Sequence, residues 1–213
     1  MSAHPHRPGQ ANPLFNPFLY FLGKQFTGRS FDLIWRRRVF GLENIPPAGT
    51  PVIFAANHRS LADPNLVGSA VPYPIHFFTK DELFQIPLLG WYIRRVNAFP
   101  VKREEHDVGA FRRAVHILEH GEALLLFPEG GRRLNPARQW KAKAGVGTLA
   151  CMTGAQIVPV GVLHSERFTR LSGITVRFGK PIFPPEKEGN RAMYQELSNR
   201  VMQRIKELCD EPE

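Results

Sequence analysis

Long apolar runs are missing from this chain of 213 residues. No stretch reaches the roughly 18 uninterrupted apolar residues that a membrane-spanning helix needs, so no spanning segment is expected. Cysteine is scarce: Cys151 and Cys209 are the only two and have no metal-ligand spacing. With nothing at the N-terminus resembling a secretion signal, this predicts a reducing, cytoplasmic setting. Acidic residues are outnumbered, 19 against 28 Lys and Arg, leaving a formal net charge of +9 and a pI near 10.0. Such a balance favours nucleic acid, an anionic membrane or phosphorylated substrates, and does not choose among them. Also absent are a G-x-S-x-G nucleophile elbow, a Walker-type glycine loop and a clustered His/Cys/Asp set suited to a metal. His116 and His120 have helical spacing but no third ligand, so they are expected on an ordinary helix face.

What is present, 43% hydrophobic and 11% aromatic residues, suffices for one domain with a proper core. Residues 1–13 hold three prolines and no periodicity, and read as a loose tail. Residues 14–38 are aromatic-rich, with Leu14, Phe18, Phe21, Leu22 and Phe26 close to one helical face, Lys24 and Arg29 off it, and Arg36, Arg37 and Arg38 following. Two arrangements would share this stripe: a helix lying in an anionic headgroup layer, or one docked on the protein's own core. Residues 39–213 then alternate strand-like and helix-like stretches. Strands are expected at 51–56, 75–80, 96–101, 123–127, 157–162 and 174–178, and helices from Asp63 to about Ala70, in short turns over 81–93, from a cap at Asp107 to Gly121, over 140–153, and along the stripe Met193, Leu197, Val201, Ile205 and Leu208. The pattern predicts an α/β fold with a largely parallel central sheet flanked by helices, preceded by the N-terminal amphipathic helical segment. Pro100 marks its strand as an edge or a strand end.

The chain is organised around PVIFAANHRSLADP (51–64), where an apolar strand ends in Asn57 and His58 and Asp63 follows at the entrance of a helix. A carboxylate near an imidazole can hold it in one tautomer and make it a general base. A free imidazole titrates near pH ~6.5, so it can take up and return a proton at neutral pH. The spacing alone is weak support, because His76 and Asp81 repeat it; His76 lies in an apolar run and is expected to be a strand residue facing a neighbour.

Further support comes from other strand ends, since ligands of parallel sheets bind beyond the C-terminal ends of the strands. AFPV is followed by Lys102 and Arg103, and ALLLF by Pro128, Glu129, Gly130, Gly131 and Arg132. Gly130 and Gly131 allow backbone N–H groups to face an anion, and Arg103 and Arg132 can clamp phosphate oxygens. Glu129 needs an arginine or a substrate hydroxyl as partner; the plain alternative is a local Glu129–Arg132 bridge closing a turn. A base without an enzymic nucleophile leaves the substrate to supply one, and a hydroxyl attacking an activated acyl group fits.

At this point the residues resemble a family. NHRSLAD (57–63) resembles the NHxxxxD motif of the glycerolipid acyltransferases, especially the lysophosphatidic acid (1-acylglycerol-3-phosphate) acyltransferases, and FPEGGR (127–132) resembles their FPEGTR motif. AFPVKR resembles their arginine-ending motif and IVPV (157–160) their Val-Pro-Val element, so four motifs stand in the family's order over about residues 40–180. The resemblance implies that His58 deprotonates the free hydroxyl of a lysophospholipid, most readily 1-acyl-sn-glycerol 3-phosphate, for attack on the thioester of acyl-CoA or acyl-carrier protein, with Asp63 orienting His58. It implies that Arg103, Glu129 and Arg132, joined by Lys80 of TKDEL, position the glycerol phosphate, while Asn57 and Ser60 shape the loop. It implies no cofactor beyond the acyl thioester co-substrate, no metal and no covalent enzyme intermediate.

Two departures stand out. Gly131 replaces the family's usual threonine, and no spanning segment is evident, which directs attachment to residues 14–38 on the cytoplasmic face of an anionic membrane. Competing readings are transfer to another lysolipid acceptor such as a lyso-aminolipid, a non-catalytic module binding anionic lipid, and a thioesterase. Nucleic acid ranks last as a partner, because the cations follow apolar strands and do not interleave with exposed aromatics.

Overall fold

A computed structural model describes residues 12–101, 107–132, 140–170, 173–185 and 189–211. Seven strands, β1 (Arg38–Phe40), β2 (Val52–Ala56), β3 (Ile75–Lys80), β4 (Ala98–Val101), β5 (Ala123–Leu126), β6 (Gln156–Leu163) and β7 (Thr175–Phe178), form one sheet in the order β1-β7-β6-β2-β5-β3-β4. Every strand pairing is parallel except β6 with β7. Six α-helices accompany it: α1 (Pro17–Ile34), α2 (Asp63–Ala70), α3 (Pro87–Arg95), α4 (Val108–Glu119), α5 (Gly145–Thr153) and α6 (Arg191–Asp210). The expected layered α/β fold is the fold observed.

β2 lies near the middle of the sheet, between β6 and β5, and all five of its residues are buried. Its side chains alternate between two cores. Ile53 and Ala55 pack with Leu124 and Ile157 beneath α4, α5 and α6, whereas Val52, Phe54 and Ala56 pack with Leu66, Val67, Phe31 and Val160 beneath α1 and α2. Burying a side chain such as Phe54 completely is worth about 1.5–3 kcal/mol, so a strand apolar on both sides belongs under two helical layers. Pro100 sits in β4 at the sheet's edge, where its missing N–H costs no ladder bond.

Three local departures have physical reasons. The helix expected over 140–153 begins only at Gly145, because Lys143 N–H donates to Pro128 O at 2.9 Å and ties the preceding residues to a neighbouring turn. α2 begins at Asp63, but its N-cap is Ala62, since the Asp63 carboxylate turns back onto residues 58–60. His76 pairs with Glu122 in the interior rather than with Asp81.

α1 is capped by Asn16, whose side chain accepts from Leu19 N–H at 3.0 Å, and opens on Pro17. It docks through Tyr20, Gly28 and Phe31, not through the stripe of Phe18, Leu22 and Phe26, which are 72%, 55% and 74% exposed. The helix therefore packs on the protein's own core, but with a face other than that stripe. The basic cluster also divides: Arg37 turns inward to Asp32, Leu66 O and the Ser69 hydroxyl, while Arg36 and Arg38 stay exposed. Among the described residues no helix is long and apolar enough to cross a membrane.

Candidate active site

The strand order brings the chemistry together. β2 and β5 are neighbours in parallel, so the residues that follow them, His58 and the turn 127–131, emerge side by side at one end of the sheet. Asn57 fixes the exit from β2 by bonding both ways to β6: its amide donates to Val162 O at 2.8 Å and its carbonyl accepts from Val162 N–H at 2.7 Å. From the β5 side, Glu129 Oε2 accepts from His58 N–H at 2.8 Å. Two neighbouring strands thus hold the histidine backbone.

The imidazole is held as firmly. His58 Nδ1 lies 2.9 Å from Asp63 Oδ2, and both residues are buried. The same carboxylate oxygen accepts from Arg59 N–H at 2.7 Å and Ser60 N–H at 2.8 Å. Backbone donors on a carboxylate stabilise its charged form, and that charge holds the Nδ1–H tautomer and leaves Nε2 free to accept a proton. Phe127 stacks on the ring, centroids 3.9 Å apart and planes 17° from parallel.

Two cavities meet at His58 and Phe127. One, of about 480 Å³, is mainly apolar, walled by Phe78, Val101, Phe111, Leu125, Val146 and Leu149, with Gly130, Gly131 and Lys143 also on its wall. The other, of about 280 Å³, lies under α1 and α2 and is lined by Lys24, Lys80 and Arg132 together with Tyr20, Leu61 and Tyr92. Both spaces are mainly apolar and the second adds three cationic side chains, so their meeting at one base suits a substrate pair with apolar tails and an anionic head.

The candidate residues read from the sequence divide accordingly. His58 and Asp63 are joined, Gly130 lies on the apolar side, and Lys80 and Arg132 on the cationic side. Glu129 reaches the His58 backbone, and among the described residues no ion pair joins it to Arg132, so the local-bridge alternative does not hold. Arg103 lies outside the described residues. Gly130 has φ 71°, a conformation that favours glycine, and a Cβ there would stand 2.7 Å from Lys143 Cε.

Sequence reasoning missed three contributors. Phe127 read as the end of a strand and the first residue of FPEGGR, with no part in the site of its own. Lys24 was placed on the outer flank of α1, yet its ammonium donates to Val71 O and lines the cationic cavity; desolvation, and secondarily Arg37, lowers its pKa. Lys143 sat in a stretch read as helix; a lysine just ahead of the apolar run starting at Gly145 was the available signal. Among the described residues no three His, Cys, Asp or Glu side chains gather as a metal cluster would require.

A family model described as Acyltransferase matches residues 36–163. The chain is 30% identical to a 1-acyl-sn-glycerol-3-phosphate acyltransferase of Bacillus subtilis, over 80% of this chain and 87% of that one. It is 28% identical to a chloroplastic 1-acyl-sn-glycerol-3-phosphate acyltransferase of Arabidopsis thaliana, over 92% of this chain but only 57% of that longer protein. The crystal structure of a 1-acyl-sn-glycerophosphate acyltransferase from Thermotoga maritima superposes with a TM-score of 0.70 at 25% identity, covering 91% of this chain and 81% of that one.

Proposed function

The chain belongs to the acyltransferase family, among relatives of the 1-acyl-sn-glycerol-3-phosphate type; on that premise we propose that it is an O-acyltransferase that acylates the free hydroxyl of 1-acyl-sn-glycerol 3-phosphate from an acyl thioester, giving phosphatidic acid. The observation that carries this reading is the position of His58 on the wall of both cavities.

In the first step His58 Nε2 takes the proton of the acceptor hydroxyl as its oxygen attacks the thioester carbonyl carbon. Asp63 balances the imidazolium that results. The tetrahedral intermediate collapses with cleavage of the C–S bond, and His58 returns its proton to the departing thiolate. The protein forms no covalent bond, and no group beyond the thioester co-substrate takes part; acyl-CoA and acyl-carrier protein present the same thioester. The acyl chain fills the 480 Å³ cavity, and the phosphate of the acceptor lies toward Lys80 and Arg132, with Arg103 as a further ligand. Glu129 acts by fixing the His58 loop.

The acceptor arrives from a membrane surface. Phe18, Phe26 and Leu33 of α1 and Leu88 and Trp91 of α3 stand exposed, α1 and α3 touch, and the exposed Leu61 and Leu89 line the cationic cavity. These residues form a peripheral contact with the cytoplasmic leaflet, helped by the positive net charge. Residues 14–38 therefore act as attachment segment, ahead of the acyltransferase domain at 39–213; of the tail expected over 1–13, residues 1–11 lie outside the described residues.

Thiol release from acyl-CoA, with and without lysophosphatidic acid, tests the proposal. Acceptor-dependent release, reduced at least about 10²-fold in His58→Ala, is the expected result. Acceptor-independent release would make the protein a thioesterase, release only with a lyso-aminolipid would reassign the acceptor, and none with any donor would leave a lipid-binding module.

A further inference from the structure

His58 accounts for the proton and the cationic cavity for the headgroup, but the mechanism also places a negative charge on the carbonyl oxygen of the tetrahedral intermediate. Stabilising such an oxyanion is commonly the largest electrostatic contribution to acyl transfer. The thioester carbonyl must lie where the apolar cavity reaches His58, and among the described residues Lys143 is the lysine that lines this cavity.

The backbone N–H of Lys143 donates to Pro128 O at 2.9 Å, and its side chain crosses Gly130, with Cδ, Cε and Nζ all within 2.9 Å of where a Cβ would stand. A side chain at 130 would displace the end of this lysine. The Pro128–Gly130 turn that accepts from the Lys143 N–H also carries Glu129, which accepts from the His58 N–H. One turn thus ties the backbones of base and lysine together. Lys143 is an exposed residue, among the described residues no carboxylate forms an ion pair with it, and Val146, Phe111 and Leu149 line the same cavity.

We propose that Lys143 is a catalytic residue whose ammonium stabilises the oxyanion formed on the thioester carbonyl as the acceptor hydroxyl attacks. A role in holding donor phosphates fits less well, since the whole pantetheine arm separates the thioester from the nearest phosphate. No proton is transferred: Lys143 stays charged while the C=O bond opens and re-forms, and His58 alone moves the proton.

The proposal rests on the acyl-transfer reading, and the experiment separates the two. Lys143→Met and Lys143→Arg are assayed beside wild type, and inhibition is measured with an S-alkyl thioether of the donor, which has chain and arm but no carbonyl. Lys143→Met is expected to lower kcat about 10²-fold or more, leaving the acceptor KM and the thioether inhibition constant within about threefold, with partial recovery in Lys143→Arg. If Lys143→Met does not keep the wild-type melting temperature, Lys143→Gln takes its place. A kcat within threefold of wild type, or a loss confined to KM and thioether binding, overturns the proposal while acyl transfer stands. A wild type without acceptor-dependent transfer overturns both.

Discussion

His58 and Phe127 lie face to face, their ring centroids 3.9 Å apart, one following β2 and the other following β5. The stack closes the one direction in which the Asp63 bond leaves the imidazole free to tilt, so the ring is held in orientation as well as in tautomer. Phe127→Leu keeps an apolar wall but removes the aromatic face. Ring contacts of this kind contribute about 0.5–1.5 kcal/mol, so kcat should fall about two- to tenfold with the acceptor KM unchanged. Steady-state kinetics at saturating donor checks this.

Asp63 Oδ2 gathers three donors, His58 Nδ1–H and the N–H groups of Arg59 and Ser60. In Asp63→Asn a neutral carbonyl must replace the charge that balances the imidazolium, and the amide can turn a donor toward the ring. The expected result is a kcat loss of about 10²–10⁴-fold with little change in KM. A lower melting temperature should accompany it, because the loop amides lose a charged acceptor at about 1.5–3 kcal/mol per bond.

α1 separates attachment from acceptor binding residue by residue. Removing the whole segment would also remove Tyr20, Gly23, Lys24 and Thr27 from the wall of the cationic cavity. Point changes discriminate better. Phe18→Ser with Phe26→Ser should abolish sedimentation with anionic vesicles and leave the KM for a short-chain, monomeric acceptor within twofold. Lys24→Met should do the reverse, leaving sedimentation intact and raising that KM by about five- to tenfold, as expected for one lost phosphate contact of about 1–1.4 kcal/mol.

The contrast between Lys24 and Phe18 shows what the sequence could and could not convey. Periodicity marks a stripe, and the stripe in 14–38 is present, but periodicity does not say which side of the stripe the rest of the molecule occupies. The sheet was legible because β2, β5 and β6 are apolar runs bounded by polar turns, and His58 with Asp63 was legible because both lie in one loop. Phe127 and Lys143 were not. Their parts in the site depend on β5 lying against β2 and on a turn packed across Gly130, contacts between residues far apart in the chain. The antiparallel β7 was hidden for a related reason: TVRF has the same composition whichever way it runs.

Tyr20 links α1 to the sheet, its phenol oxygen accepting from Ile75 N–H at 3.1 Å, and burial pushes its pKa up to about 12. The Ile75 contact opposes that shift and only partly offsets it. Below pH ~10 both folded and unfolded chains carry the proton, and the group adds no pH dependence. Between pH ~10 and about 12 the unfolded chain has lost it and the folded chain retains it, so stability falls by about 1.4 kcal/mol per pH unit. Tyr73 and Tyr92 are shifted in the same direction by burial and steepen the same limb. Urea unfolding from pH 9 to 12 should show a slope in Tyr20→Phe shallower by about 1.4 kcal/mol per unit than in wild type. An unchanged alkaline slope would mean that the phenol reaches solvent and that α1 does not seal the inner edge of the cationic cavity.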